Sequence, residues 1–154
     1  MDRVIEKKVK EILFFHKVIY YFLIGILWAL AQVTYSFSLL TWFALVPFLF
    51  TIKYEYKRNG VIYSFIFGTT AYLFSLWWLP STIAKVGLSI FTDKIFTFPV
   101  WSLSFLIYLI VAFYHGFVFV VIYYVTKFLT RGNYYLFYLV FPVVATLCDY
   151  FYPK

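Results

Sequence analysis

Residues 65–87 read "FIFGTTAYLFSLWWLPSTIAKVG" and contain one charged residue, Lys85. The apolar part approaches the roughly 20 residues that a helix needs to cross a bilayer. It ends in two tryptophans and a proline, and tryptophan and tyrosine concentrate at the two edges of a membrane. We interpret the stretch as a membrane span with an aromatic collar, and we expect belt positions at Tyr72, Trp77, Trp78, Trp101 and Tyr108.

The composition of the whole chain agrees with a membrane protein. Hydrophobic residues make up 65% and charged residues 12% of the 154 residues, whereas about a quarter of a soluble domain is charged. In lipid, only helices and closed barrels satisfy the backbone, and the unbroken apolar runs lack the alternation of barrel strands. The sequence therefore predicts an all-α, polytopic transmembrane helical bundle.

Charged residues divide the chain into apolar segments. The gaps run from Lys17 to Lys53, Arg58 to Lys85, Lys94 to Lys127 and Arg131 to Asp149. The first gap is long enough for two spans, and each of the others fits one. We expect one transmembrane domain over 1–154, with a basic tail at 1–17, an outer arm at 80–98, and about five helices at 14–33, 38–53, 60–79, 99–127 and 134–151.

The distribution of lysine and arginine predicts the orientation. With the N-terminus in the cytoplasm, ten of these residues fall on the cytoplasmic side and three on the other, as the positive-inside rule requires. The C-terminus and the outer arm then lie outside. The basic tail and "ALA" at 29–31 also fit a cleavable signal peptide, but another apolar run follows at once, so a retained first helix is favoured.

Few residues within the spans suggest chemistry. His115 lies mid-span, where an ionisable side chain is a functional hypothesis by default, but the adjacent Gly116 favours helix packing. Cys148 and Asp149 are neighbours on one helix and point about 100° apart, so we expect a small buried thiol and an interfacial carboxylate. Two separate histidines and one cysteine suggest no metal and no cofactor. The net charge of +7 has no basic–aromatic interleaving, so nucleic acid is not an expected partner.

The order of several motifs is informative. Residues 25–50, "GILWALAQVTYSFSLLTWFALVPFLF", end the second predicted helix with "ALVPFL". Residues 59–87 then place Gly68, Trp78, Thr82 and Gly87 in that order, and "FPVVATLCDYFYPK" at 141–154 contains a proline and an acid. This order resembles the N-terminal membrane region of the apolipoprotein N-acyltransferases over about 20–152. The turn "TYSFS" at 34–38 lacks the family's proline, Asp149 replaces its glutamate, and the preceding tryptophan is missing.

The resemblance implies a function in the bacterial inner membrane. The family transfers an acyl chain from a phospholipid to the N-terminal cysteine amine of lipoproteins, using a nitrilase-like domain with a Glu–Lys–Cys set. That domain has no counterpart in the 154 residues, so we expect no catalytic residue here and no activity of this chain alone, as a fragment, a split-gene product or a remnant. Expected partners are phospholipid, a lipoprotein substrate and a second chain with the catalytic domain.

The resemblance also assigns roles to individual residues. It places a lipid and substrate entrance at Trp78, Thr82, Lys85 and Gly87, and structural or packing roles at Gly68, His115, Pro142 and Asp149. The alternative is a non-enzymatic membrane scaffold or assembly protein. A transporter ranks last, because ion pathways normally need intramembrane charges or broken helices.

Overall fold

The described part of the chain is entirely helical. The computed structural model describes residues 2–33, 40–55, 57–90, 97–131 and 133–151, with side chains at 12–32, 41–55, 58–89, 98–131, 133 and 135–148. These residues contain no strand and form six helices: α1 (Asp2–Val33), α2 (Leu40–Ile52), α3 (Lys57–Ser75), α4 (Leu79–Ile90), α5 (Thr97–Thr130) and α6 (Tyr134–Phe151). The prediction of an all-helical protein is confirmed.

The helices differ in whether they are long enough to cross a membrane. Two segments among the described residues are long and apolar enough to cross a bilayer alone, Ile12–Gln32 and Phe98–Thr130. Helices α3 and α4 meet at a 53° bend and form a third candidate if the pair counts as one span. The apolar parts of α2 and α6, Thr41–Ile52 and Tyr135–Cys148, are shorter. The expectation of five spans, and the orientation of the termini, therefore stay predictions.

A helix also occupies the start of the predicted outer arm. Helix α4 runs through Gly87, and its N-terminus begins with Leu79 and Pro80, where proline is tolerated because an N–H in the first turn has no helical partner. Residues 91–96, the rest of that loop, lie outside the described residues. The first part of the predicted outer arm is therefore a helix.

Helix α3 is the centre of the bundle. It packs along α5 and α1; α2 packs on α1, and α4 and α6 pack on α5. The core between these helices is strongly aromatic: Tyr21 stacks on Tyr63 with ring centroids 4.7 Å apart, and Phe48 stacks on Phe67 at 4.1 Å. Offset aromatic pairs of this kind add to the packing energy beyond the area that they bury.

Glycines allow the closest approach between helices. A Cβ added at Gly68 of α3 would lie 2.7 Å from Cδ2 of Phe119 on α5, and one at Gly116 of α5 would lie 2.9 Å from Cε2 of Phe65 on α3. Gly60 faces Tyr123 across the same seam. Because lipid tails are as apolar as leucine, close packing at small residues is what holds membrane helices together.

Contacts from α1, α5 and α6 hold the turn between α2 and α3. Lys17 forms an ion pair with Glu55, with Nζ 2.6 Å from Oε1. Lys127 donates to the carbonyl oxygen of Lys53, and the Lys53 ammonium lies 4.4 Å from the ring centroids of both Tyr54 and Tyr138. A hydrogen bond with Tyr138 raises the pKa of Lys53, so this lysine stays charged at neutral pH.

The residues of the turn between α5 and α6 explain why α5 ends and α6 begins there. Arg131 has a φ of 47°, the left-handed conformation in which many helices end. Asn133 then caps α6, because its Oδ1 accepts from the backbone N–H of Tyr135 at 3.0 Å.

The hydroxyl of Tyr108 provides a test of the α3–α5 contact. It donates to the carbonyl oxygen of Leu73, which lies in the last turn of α3, where carbonyls lack helical partners. We expect Tyr108→Phe to lower the free energy of unfolding by about 1 kcal/mol, measured as thermal unfolding in detergent. Tyr124→Phe is the matched control, because that side chain is 50% exposed. Equal stability of the two variants would contradict the prediction.

Candidate functional site: an apolar cavity between five helices

A cavity of about 310 Å³ opens between α1, α2, α3, α5 and α6. Its volume is at the lower end of the range for small-molecule sites, which are mostly apolar with a few polar groups. Trp42 is 66% exposed, so the cavity has an open side toward the surroundings of the bundle. The lining residues are Trp28, Trp42, Leu45, Leu49, Tyr72, His115, Val118, Phe119, Ile122, Phe141, Pro142, Ala145, Thr146 and Cys148.

His115 forms part of the cavity wall and also packs. Its Nδ1 lies 2.8 Å from the carbonyl oxygen of Val111, one helical turn earlier. Because a carbonyl can only accept, Nδ1 is the donor in this bond. The ring stacks on Tyr72 of α3 with centroids 3.6 Å apart. His115 therefore packs against α3, as its neighbour Gly116 predicted, and it also lines the cavity. The sequence did not indicate the position on the cavity.

Cys148 lies on the α6 side of the same cavity. Its thiol is not in a disulfide and is half-buried. Thr146 on the same helix donates to the carbonyl oxygen of Pro142 at 2.9 Å, so its hydroxyl is already engaged within the helix. The 33 positions that separate His115 and Cys148 in the chain explain why their shared cavity could not be read from spacing.

The described residues contain no group of three histidine, cysteine or acidic side chains that could hold a metal ion. Asp149 belongs to α6, but its side chain lies outside the described side chains.

Three of the four predicted entrance residues share one face. Trp78 precedes α4 and is 47% exposed, and Thr82 and Lys85 on α4 are also exposed. Their spacing of four and then three residues places them on one helical face. Gly87 differs, because a Cβ there would lie 2.9 Å from Cγ1 of Val100 on α5. None of the four lines the cavity, so the structure separates the predicted entrance from the cavity wall.

The packing residues connect to the cavity in two ways. Pro142 lines it directly. Gly68 lies against Phe119, whose ring forms part of the wall, so the close approach at Gly68 sets where that ring lies. Both residues were assigned structural or packing roles by resemblance, and the cavity gives those roles a location.

The expected aromatic belt divides into two groups. Trp77, Trp78 and Trp101 are 44–66% exposed, as side chains at a membrane edge would be. Tyr108 is buried and binds the end of α3, and Tyr72 stacks on His115. Composition cannot distinguish these groups, because a tyrosine suits both an interface and a buried hydrogen bond.

Trp28 and Trp42 line the cavity, a position that their sequence context did not indicate. A polar-tipped aromatic residue inside an apolar run was the available signal, but it is equally typical of a belt. Only the position of both side chains on a cavity shared with α6 distinguishes the two cases.

A helical bundle with large apolar side chains exposed on all its long helices, and with an apolar cavity between them, is an integral membrane protein. The sequence model of the apolipoprotein N-acyltransferase N-terminal domain matches residues 24–153, so the chain belongs to that family. No curated protein and no solved structure matches the chain at the threshold applied.

Proposed function

We propose that this chain is the membrane-embedded part of an apolipoprotein N-acyltransferase system, and that its cavity accommodates an acyl chain. The supporting observation is the 310 Å³ apolar cavity, open on the Trp42 side, within the region that matches the family. We place the protein in the bacterial inner membrane as a multi-pass protein with its N-terminus in the cytoplasm. The positive-inside distribution of lysine and arginine supports this orientation.

In the proposed orientation, the cavity extends from the outer ends of α1, α2 and α6 inward as far as Leu49 and Ile122. Trp28 lies near the outer end of α1, Trp42 near the outer start of α2, and Cys148 near the outer end of α6. The exposed face with Trp78, Thr82 and Lys85 follows the outer end of α3. Lys85 at headgroup depth would attract lipid phosphate, with its aliphatic stem along the apolar surface.

The chemistry itself belongs to a nitrilase-like domain in this family. A cysteine thiolate attacks a phospholipid acyl ester, a thioester forms as the lysophospholipid leaves, and the lipoprotein amine then attacks the thioester. Residues 1–154 contain one cysteine, Cys148, inside α6. We propose that this chain binds and orients acyl chains and has no acyltransferase activity alone, and that a nitrilase-like domain outside these residues performs the transfer.

The proposal predicts a chemical phenotype. In cells depleted of this protein, lipoproteins should accumulate in the diacylated form, because the acyl donor and acceptor are no longer presented to the catalytic domain. Mass spectrometry of the N-terminal lipopeptides measures the ratio of diacyl to triacyl forms. Re-expression of the wild-type chain is the control and should restore triacylation. Unchanged triacylation after depletion would overturn the proposed function.

The alternative, a membrane scaffold, finds no support in the described glycines. A scaffold would favour exposed faces rich in small residues. The described glycines Gly25, Gly60, Gly68, Gly87 and Gly116 all face contacts within the chain.

A further inference from the structure

A second pocket lies between the middle of α1 and the C-terminal end of α2, away from the cavity. We name it the basic-end crevice. It has a volume of about 240 Å³ and is lined by Lys17, Tyr20 and Tyr21 of α1, Phe50 and Thr51 of α2, and Tyr54 and Glu55 of the turn that follows α2. We infer that this crevice binds one anionic phospholipid, with the phosphate at Lys17 and the glycerol ester region beside Tyr21.

The first reason is the arrangement of charge. The Lys17 side chain is 48% exposed, whereas that of its partner Glu55 is 9% exposed. The ammonium therefore faces outward with donors to spare, and the carboxylate is covered. Arg58 and Arg131 are exposed at the same end of the bundle, and residues 2–11 at the start of α1 carry four basic residues against the three acidic ones Asp2, Glu6 and Glu11. Such a basic surface beside a membrane attracts anionic lipid.

The second reason is a buried polar group that lacks a good hydrogen bond. Tyr21 is 1% exposed, and no hydrogen bond of standard geometry reaches its hydroxyl among the described residues, with Thr51 as its polar neighbour. The neighbouring wall residue Thr51 directs its own hydroxyl to the carbonyl oxygen of Pro47, at 2.8 Å. A buried hydroxyl without a good hydrogen bond is costly in an apolar environment. A small movement that brings a ligand oxygen to Tyr21 would remove that cost.

The depth of the two groups matches a phospholipid. Tyr21 follows Lys17 by four residues, so it lies about 6 Å deeper along the helix. In a phospholipid the ester carbonyls lie deeper than the phosphate, and the acyl chains begin below them. The aromatic and aliphatic walls of the crevice suit the start of an acyl chain, and the ammonium at its mouth suits the phosphate. The crevice and the proposed acyl transfer are independent of each other.

Lipid retention tests this inference. The intact protein is reconstituted in nanodiscs of phosphatidylglycerol and phosphatidylethanolamine and then extracted in detergent. Native mass spectrometry measures the mass of the protein with the lipids that it retains. We expect one phosphatidylglycerol to be retained in preference to phosphatidylethanolamine. Lys17→Gln should lower that retention about fivefold, the size expected for one lysine at an anionic surface, and Tyr21→Phe should lower it without loss of the ring.

Two further variants separate lipid binding from structure. Glu55→Gln breaks the same ion pair but frees the Lys17 ammonium, so phosphatidylglycerol retention should stay equal or rise. Tyr124→Phe, the control for Tyr21→Phe, removes the hydroxyl of a tyrosine on α5 that is 50% exposed and should leave retention unchanged. Equal loss in Lys17→Gln and Glu55→Gln would show that the ion pair acts only on the fold and would overturn the inference. Equal retention of the two lipids by the wild type would overturn it as well.

Discussion

Replacing Ala145 with tryptophan should fill the cavity and block its use. Ala145 lies on α6 in the cavity wall, and an indole there would occupy the space that we assign to an acyl chain. An acyl chain would then have to share the cavity with the indole, and an overpacking cost of about 1–3 kcal/mol lowers acyl-chain occupancy by about 5- to 150-fold. A phospholipid with a photoreactive diazirine on its acyl chain measures occupancy directly, as cross-linking to peptides of α5 and α6.

The matched control is Val143→Trp on the same helix. Val143 is 57% exposed, so the added indole points away from the cavity and should leave cross-linking near the wild-type value. In cells, Ala145→Trp should also raise the ratio of diacyl to triacyl lipoprotein, while Val143→Trp should not. If both variants cross-link equally well, the cavity is not the acyl-chain site, although the family assignment would stand.

Replacing Gly116 with leucine should cause the largest loss of stability. Gly116 faces α3, where an added Cβ would meet Cε2 of Phe65 at 2.9 Å and the Thr69 hydroxyl at shorter range. Helices α3 and α5 form the most extensive contact in the bundle, so they would have to separate along the seam. We expect a loss of about 1–3 kcal/mol or more in the free energy of unfolding, measured by thermal unfolding in detergent.

Two comparisons make this result specific. Val121→Leu also enlarges a side chain on α5, but that residue is 52% exposed, so it should have little effect. Thr69→Ala should partly rescue Gly116→Leu, because it removes the nearest obstacle and a hydroxyl that has no partner among the described residues. Full additivity of the two substitutions, with no rescue, would indicate that Thr69 and Gly116 do not share the contact.

The sequence alone determined the class, the family and much of the helical content. Long apolar runs without alternation leave helices as the only way to satisfy a backbone in lipid, and all described elements are helices. The motifs around Gly68 and Pro142 were sufficient to indicate the family that residues 24–153 match. Lysine and arginine positions predict an orientation, which still needs a topology measurement.

Only the tertiary structure decided the faces of the helices and the cavity. In water, an apolar stripe marks the buried side of a helix, but in a membrane both lipid and protein are apolar, so hydrophobicity does not say which side faces in. Trp28, His115 and Cys148 are distant in the chain and meet only because α1, α5 and α6 pack around one space. These residues come together because small residues such as Gly116 pack against large side chains on the neighbouring helix. This complementarity of shape exists only between folded helices.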